Sequence, residues 1–275
     1  MKIDAHQHFW NYNPKKHDWI DDSMQVIKKD FSPNELEKEM LANGINGCIA
    51  VQVEESETET EYLLKLADDN NFIKGVVGWI DLLSPEAEER MLFWKQKFKC
   101  KGFRSIIQGK PDHNYLKNEV FIEQVKKLQA HGYSYDLLVY HDQLPSLIGF
   151  TEKLPDNRMI LDHLGKPDIK NKEIKKWKEH IKILAQHPGI YCKLSGLITE
   201  AEHDKWSYND IQPYLEIAAE YFGTDRICFG TDWPVCLLAG TYTQVVETIE
   251  KFSLQLSKDE KNKLFAENTM KCYNL

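Results

Sequence analysis

Eight short β-rich runs recur along this chain at an average spacing of about 32 residues, each followed by a stretch with helical periodicity. They are Lys2 to Ala5, Gly47 to Val53, Lys74 to Ile80, Gly102 to Ile107, Tyr135 to Tyr140, Arg158 to Leu161, Ile190 to Leu194 and Arg226 to Phe229. Most are continuous apolar stretches (CIAVQV, GVVGWI, YDLLVY, RMIL, RICF) and do not alternate. Strands buried on both faces read this way, so a parallel sheet is expected. Eight such units account for nearly all of the 275 residues, the length of one distorted (β/α)8 TIM barrel. A doubly wound open sheet fits less well. It would bring a Gly-rich phosphate loop after its first strand, and neither G-x-G-x-x-G nor G-x-x-x-x-G-K-[ST] occurs.

The intervening segments carry helix signals. Ser32, Pro33 and Glu35 form a cap, a first-turn proline and a capping-box acid ahead of Leu36, Met40 and Leu41, and Gly44 closes that helix. Ser56 with Glu59, and Ser84 with Pro85, are expected to open the next two, while Gly132 and Gly223 close later ones. Asn171 to His187 places Ile174, Trp177, Ile181 and Leu184 at helical spacing with lysines on the other face. Leu254 to Leu275 is read as an extra C-terminal helix covering the barrel. No composition break divides the chain, so residues 1–275 are taken as one domain.

A formal net charge of −8 has the wrong sign for holding a phosphate backbone, so no nucleic-acid partner is expected. No apolar run approaches the roughly 18 residues of a membrane span, and MKIDAHQHFW lacks the features of a signal peptide. These point to a cytoplasmic protein without a membrane partner; its state, single chain or homo-oligomer, is left open. The six cysteines are dispersed, without a C-x-x-C pair, and read as reduced core residues.

In a parallel barrel the chemistry gathers where strands end and βα loops begin. Strand one runs into His6 and His8, two apart, which project from one face of an extended chain and can grip one ion. Strand six ends at His163 and strand eight at Asp232, whose following helix begins only near Thr241, so a capping role for Asp232 is disfavoured. His141 follows strand five. Arg104 lies within strand four, where a buried guanidinium needs a paired anion or a ligand. Gln52 and Lys193 are also polar positions within strands that require partners. Trp10, Trp79, Tyr140 and Trp233 stand near strand ends and suit a sugar ring, as does Trp19 in the first loop; each equally suits core packing. His131, His180, His187 and His203 read as surface or capping residues, with His17 and His113 left as loop contributors.

The segments IDAHQHFW, GFRSIIQ, LDHLGKPDI, YCKLSGL and FGTDWPV, in this order over nearly the whole chain, resemble the amidohydrolase superfamily. More narrowly they resemble its sugar-lactonase branch, the fuconolactonase- and rhamnonolactonase-like hydrolases. The resemblance implies a divalent metal, zinc by preference and dispensable in this branch, held by His6, His8, His141 and Asp232 near His163. Strand four departs from the two-metal pattern by offering Arg104 where a bridging lysine or glutamate would stand, so one ion is implied and not two. It further implies hydrolysis of a sugar-acid lactone, with Asp232 as general base and His163 and Arg104 as oxyanion donors. A decarboxylase or hydratase on the same barrel is an alternative reading. So is a metal-dependent nuclease, against which the acidic balance and strand four argue, and so is a non-catalytic sugar-binding barrel.

Overall fold

The computed structural model of the chain describes residues 1–110, 114–154 and 157–275. Eight strands are present: β1 Ile3–Gln7, β2 Gly47–Val51, β3 Ile73–Gly78, β4 Cys100–Ile106, β5 Ser134–Leu138, β6 Met159–Leu161, β7 Ile190–Leu194 and β8 Ile227–Phe229. Each pairs in parallel with the next, in sequence order. The last and first strands meet at the C-terminal rim, where the Asp232 N–H donates to the His6 carbonyl at 2.8 Å and the His8 N–H to the Trp233 carbonyl at 2.7 Å. The chain is therefore a (β/α)8 barrel whose closing hydrogen bonds come from the residues just beyond β1 and β8.

Helices α1 Pro33–Ala42, α2 Glu57–Asp69, α3 Ala87–Lys95, α4 Glu119–Ala130, α5 Leu144–Thr151, α6 Ile174–Leu184, α7 Tyr208–Phe222 and α8 Tyr242–Ser253 follow the strands. Their apolar faces pack on the outside of the sheet and form the larger core, with residues such as Leu36, Leu63, Met91, Phe121 and Trp177 fully covered. A smaller apolar cluster fills the lower barrel interior: Ala5, Ile49, Val51, Val77, Ile160 and Cys228. The capping signals at Ser32 and Ser56 act as read, and α8 begins next to Thr241 as expected, with Thr241 as its cap.

Two expectations need correction. Ser84 does not cap α3: its Oγ accepts from the Glu86 N–H at 3.2 Å, which makes a turn, and the helix starts at Ala87. The Asn171 to His187 helix is shorter, because the Asp168 carboxylate binds Asn171 through backbone and side chain and holds the preceding residues in a turn. The expected extra C-terminal helix is present: α9 Lys258–Asn262, a π-helical turn Lys263–Glu267 and α10 Asn268–Tyr273 run on without a break in helical backbone. It seals the N-terminal end of the barrel, with Cys272 and Tyr273 joining the inner cluster and Lys101 Nζ donating to the Asn274 carbonyl at 3.0 Å. All six cysteines are buried and free. Among the described residues no helix is long and apolar enough to cross a membrane.

Candidate active site

The rim that closes the barrel also assembles the chemistry. Asp4, on β1, accepts from the His6 N–H at 3.1 Å, the Thr231 N–H at 2.9 Å and the Thr231 hydroxyl at 2.5 Å. This buried carboxylate ties the end of β1 to the turn after β8. Asp232 then takes a left-handed backbone, φ 60°, which is uncommon outside glycine and turns its side chain toward β1. His8 Nε2 stands 3.2 Å from His6 Nε2 and 3.3 Å from Asp232 Oδ1, and His6 Nε2 lies 3.7 Å from that oxygen. Donors on one ion at zinc's bond lengths of about 2.0–2.1 Å sit about 3.3–3.4 Å apart at tetrahedral angles. The His6, His8 and Asp232 triangle matches that spacing.

The protonation states suit the same purpose. Burial lowers the pKa of all three histidines, pushing His163 down to about 4 and His6 well below its usual range, so each imidazole is neutral near pH 7. His8 Nδ1 lies 2.7 Å from the Val51 carbonyl, to which it donates, leaving the Nε2 lone pair facing the site. Burial alone would raise the Asp232 carboxyl, but His163, His8 and His6 more than reverse this and hold it well below the ordinary carboxylate range. Neutral imidazoles and an ionised carboxylate are the forms that ligate a metal. The donor set therefore fits one zinc-like ion.

Beneath this group lies a buried charge network. Arg104 Nη1 donates to Asp162 Oδ2 at 2.9 Å and lies 3.3 Å from His6 Nε2, while Nη2 donates to the Gln52 carbonyl. The Gln52 side chain returns a bond to the Arg104 carbonyl at 3.0 Å, which locks β2 to β4. Lys193 Nζ reaches Asp136 at 2.5 Å, Asp162 at 2.8 Å and His6 Nδ1 at 3.1 Å. Burial would lower the Lys193 ammonium, yet Asp136 and Asp162 hold it above its usual value. Burial also raises Asp136, to about 6, against the pull of Lys193. Two cations thus balance two carboxylates, and Asp232 is the uncompensated anion at the cavity floor.

The cavity above measures about 770 Å³, within the range of small-molecule sites. His8, Arg104, His163 and Asp232 line its floor, and Tyr140, Lys166, Glu200 and His203 are on its walls, with Trp19, Met24, Val235 and Leu238 contributing apolar surface. Of the predicted aromatic residues, Tyr140 and Trp19 face the cavity. Trp10 and Trp233 do not: both are buried against Phe31, and Trp10 donates to the Lys29 carbonyl at 2.8 Å. Trp79 is likewise absent from the lining; its backbone is bonded to Thr60. His141 is not brought to the metal group, because its Nδ1 sits 3.0 Å from the Lys166 carbonyl. His203, read as a surface residue, stands at the cavity mouth, and His17 is buried with Nδ1 accepting from the Asn13 N–H at 3.0 Å. His113 lies outside the described residues. Sequence reasoning missed Asp4, Asp136, Asp162, Lys166 and Glu200. For Asp4, Asp136 and Asp162 the available signal was a charge inside or directly after a strand, the same signal that marked Arg104; Lys166 and Glu200 lie further along the loops after β6 and β7, where no such signal marks them.

An amidohydrolase family profile matches residues 3–275. The chain is 37% identical over 286 residues to an L-fucono-1,5-lactonase of Burkholderia multivorans, covering 100% of this chain and 96% of that protein. A second L-fucono-1,5-lactonase, from Burkholderia ambifaria, is 34% identical over 88% of this chain and 83% of its own length. A crystal structure of an amidohydrolase from Burkholderia multivorans with bound zinc superposes with a TM-score of 0.97 at 37% identity, covering 100% of this chain and 99% of that one. From its barrel, its rim of histidines and aspartate, and these full-length likenesses, the chain belongs to the amidohydrolase family.

Proposed function

We propose that this protein hydrolyses sugar-acid lactones, aldonolactones of the L-fucono and L-rhamnono type. The observation that carries this reading is the ionised Asp232 beside three neutral histidines and Arg104 at the floor of a cavity sized for a small molecule. Lactonases related over the full chain use a ring ester as substrate, and an ester carbonyl needs those groups.

Asp232 holds the attacking water by accepting its hydrogen bond and takes its proton as the new C–O bond forms. Arg104 and His163 face the carbonyl oxygen. Arg104, held by Asp162 through Nη1 and by the Gln52 carbonyl through Nη2, lines the cavity floor and presents its cationic guanidinium to the developing oxyanion. His163 Nδ1 is fixed by Ser195 Oγ at 3.0 Å, which orients the opposite ring edge toward Asp232. When the ring C–O bond breaks, the proton held by Asp232 passes to the departing oxygen, giving a hydroxyl, and the carboxylic acid left on the acyl carbon releases its own proton to solvent to become a carboxylate. A single divalent ion held by His6, His8 and Asp232 would supply Lewis acidity, polarising the carbonyl or lowering the pKa of water.

The test is a pH-indicator assay of the pure protein on a panel of sugar lactones, before and after chelation. Acidification above the spontaneous rate supports the reading, and its absence on every lactone refutes it. Loss of rate on chelation, restored by zinc, assigns the ion a catalytic part; an unchanged rate assigns the whole reaction to the side chains. Asp232→Asn separates this account from a non-catalytic sugar-binding barrel, which would keep its function in that variant.

A further inference from the structure

Four consecutive residues after β6 lie in the left-handed region: His163 at φ 52°, Leu164 at 54°, Gly165 at 67° and Lys166 at 46°. Only one is glycine, so the turn is strained and must be held from outside. Trp177 Nε1 donates to the Leu164 carbonyl at 2.8 Å, His141 lies 3.0 Å from the Lys166 carbonyl, and Ser195 holds the His163 ring. Three anchors maintain a conformation that the chain alone would not adopt.

Such a turn has about three residues per revolution, so positions three apart sit over one another. His163 and Lys166 both line the cavity, one at its floor and one on its wall. The hydrolytic reading uses His163 and leaves Lys166 without a task. Lys166 Nζ lies 3.5 Å from Glu200 Oε1 and 5.3 Å from the centre of the Tyr140 ring. The Lys166 and Glu200 side chains are only 16% and 21% exposed, so both have given up most of their water for one long ion pair. Burial raises the Glu200 carboxyl and Lys166 opposes that shift. A donor and an acceptor held this way, beside an aromatic face, match a pair of adjacent hydroxyl groups: the ammonium donates to one oxygen and the carboxylate accepts from the next O–H.

We propose that Lys166 and Glu200, flanked by Tyr140, are specificity-determining residues that read two neighbouring hydroxyls on the ring of the substrate. This rests on the lactone-hydrolase reading and refines it: the substrate is a polyhydroxylated ring, and a lactone lacking those hydroxyls leaves two buried charged groups without ligand partners. Sites built on such bonds discriminate strongly against analogues that lack the group.

The test compares wild type, Lys166→Met, Lys166→Asn and Glu200→Gln on a fully hydroxylated six-membered sugar lactone and on δ-valerolactone, which has no ring hydroxyl. Asparagine tolerates the left-handed backbone, so Lys166→Asn guards against loss of the turn, and thermal unfolding checks each fold. Slow substrates are scored as inhibitors of the hydroxylated lactone. The variants are expected to lose about 10²-fold in kcat/KM on the hydroxylated lactone, mainly through KM, and to change less than about threefold on δ-valerolactone. Equal losses on both compounds, or wild-type discrimination in all three variants, overturn the proposal. A wild type that hydrolyses no lactone overturns the underlying reading instead.

Discussion

Arg104 shows how one residue can serve two ends. Its guanidinium lines the cavity and also neutralises buried Asp162. Arg104→Met is therefore expected to remove the proposed oxyanion donor, worth about 10²- to 10³-fold in rate, and to strip Asp162 of a partner, a loss that costs about 3–5 kcal/mol for a broken buried pair. Lys193 still pairs with Asp162, so the lower figure is expected. Urea denaturation alongside kcat checks both parts; a variant of wild-type stability would contradict the network described. The residues legible in the sequence were those whose position alone marks them: His6, His8, His163 and Asp232 are polar groups at the ends of apolar strands. Asp136, Asp162 and Lys193 were harder to read because their meaning lies in one another, and they meet only when β5, β6 and β7 stand side by side. Trp10 and Trp233 misled for a related reason, since an aromatic residue near a strand end can turn either to the cavity or to the core, and Phe31 drew both inward.

At the scale of elements, the loops after β6 and β7 are interlocked. Gly196 has φ 64°, and a Cβ there would meet His163 Nδ1 at 2.5 Å. Gly196→Ala is expected to displace the His163 ring and the left-handed turn with it, lowering kcat at least tenfold and stability by about 1–2 kcal/mol. Steady-state kinetics and thermal unfolding on the same sample check this; wild-type values in both would show that the loops are not coupled. At the opposite end, the Tyr273 hydroxyl donates to Asp136 Oδ2 at 2.7 Å, linking α10 to the charge network. Tyr273→Phe leaves the ring in the inner cluster and removes one bond to a buried carboxylate, so a loss of about 1.5–3 kcal/mol is expected from denaturant melts. Strands were read well because burial on both faces leaves little room for polar residues. Helix starts at Ser32 and Ser56 were read from their capping pattern. Ser84 has the same local chemistry but bonds to the nearer amide, and the π-helical turn at Lys263–Glu267 has no local signature of the kind used here.

The whole molecule keeps a charged interior, and its stability should record that. His163, lowered to about 4, and His6 and His8, also lowered, stay neutral in the fold at pH values where the unfolded chain binds protons. Their contribution is complete above the unfolded value of about 6.5 and is lost as pH falls toward about 4, with His163 alone accounting for about 3 kcal/mol. The depressed carboxyls of Asp162 and Asp232 act in the same direction at still lower pH. The raised carboxyls of Asp4, Asp136 and Glu59 oppose the histidines between pH 7.5 and 4.5 in any variant, so the prediction is the difference: urea midpoints of wild type should lose ground relative to those of His163→Asn as pH falls through this window, and parallel curves for the two proteins would contradict the assignment of a buried neutral imidazole.

All of these interactions converge on Asp232, which we propose as the anion that activates water for attack on a lactone. The direct measurement is kcat/KM for L-fucono-1,5-lactone with wild type and Asp232→Asn, both shown to be folded by circular dichroism. Acceleration over the spontaneous rate by wild type, with at least about a 10²-fold loss in the variant, is the predicted result. Equal turnover by the two proteins, or no acceleration by wild type on this or any other sugar lactone, would contradict it.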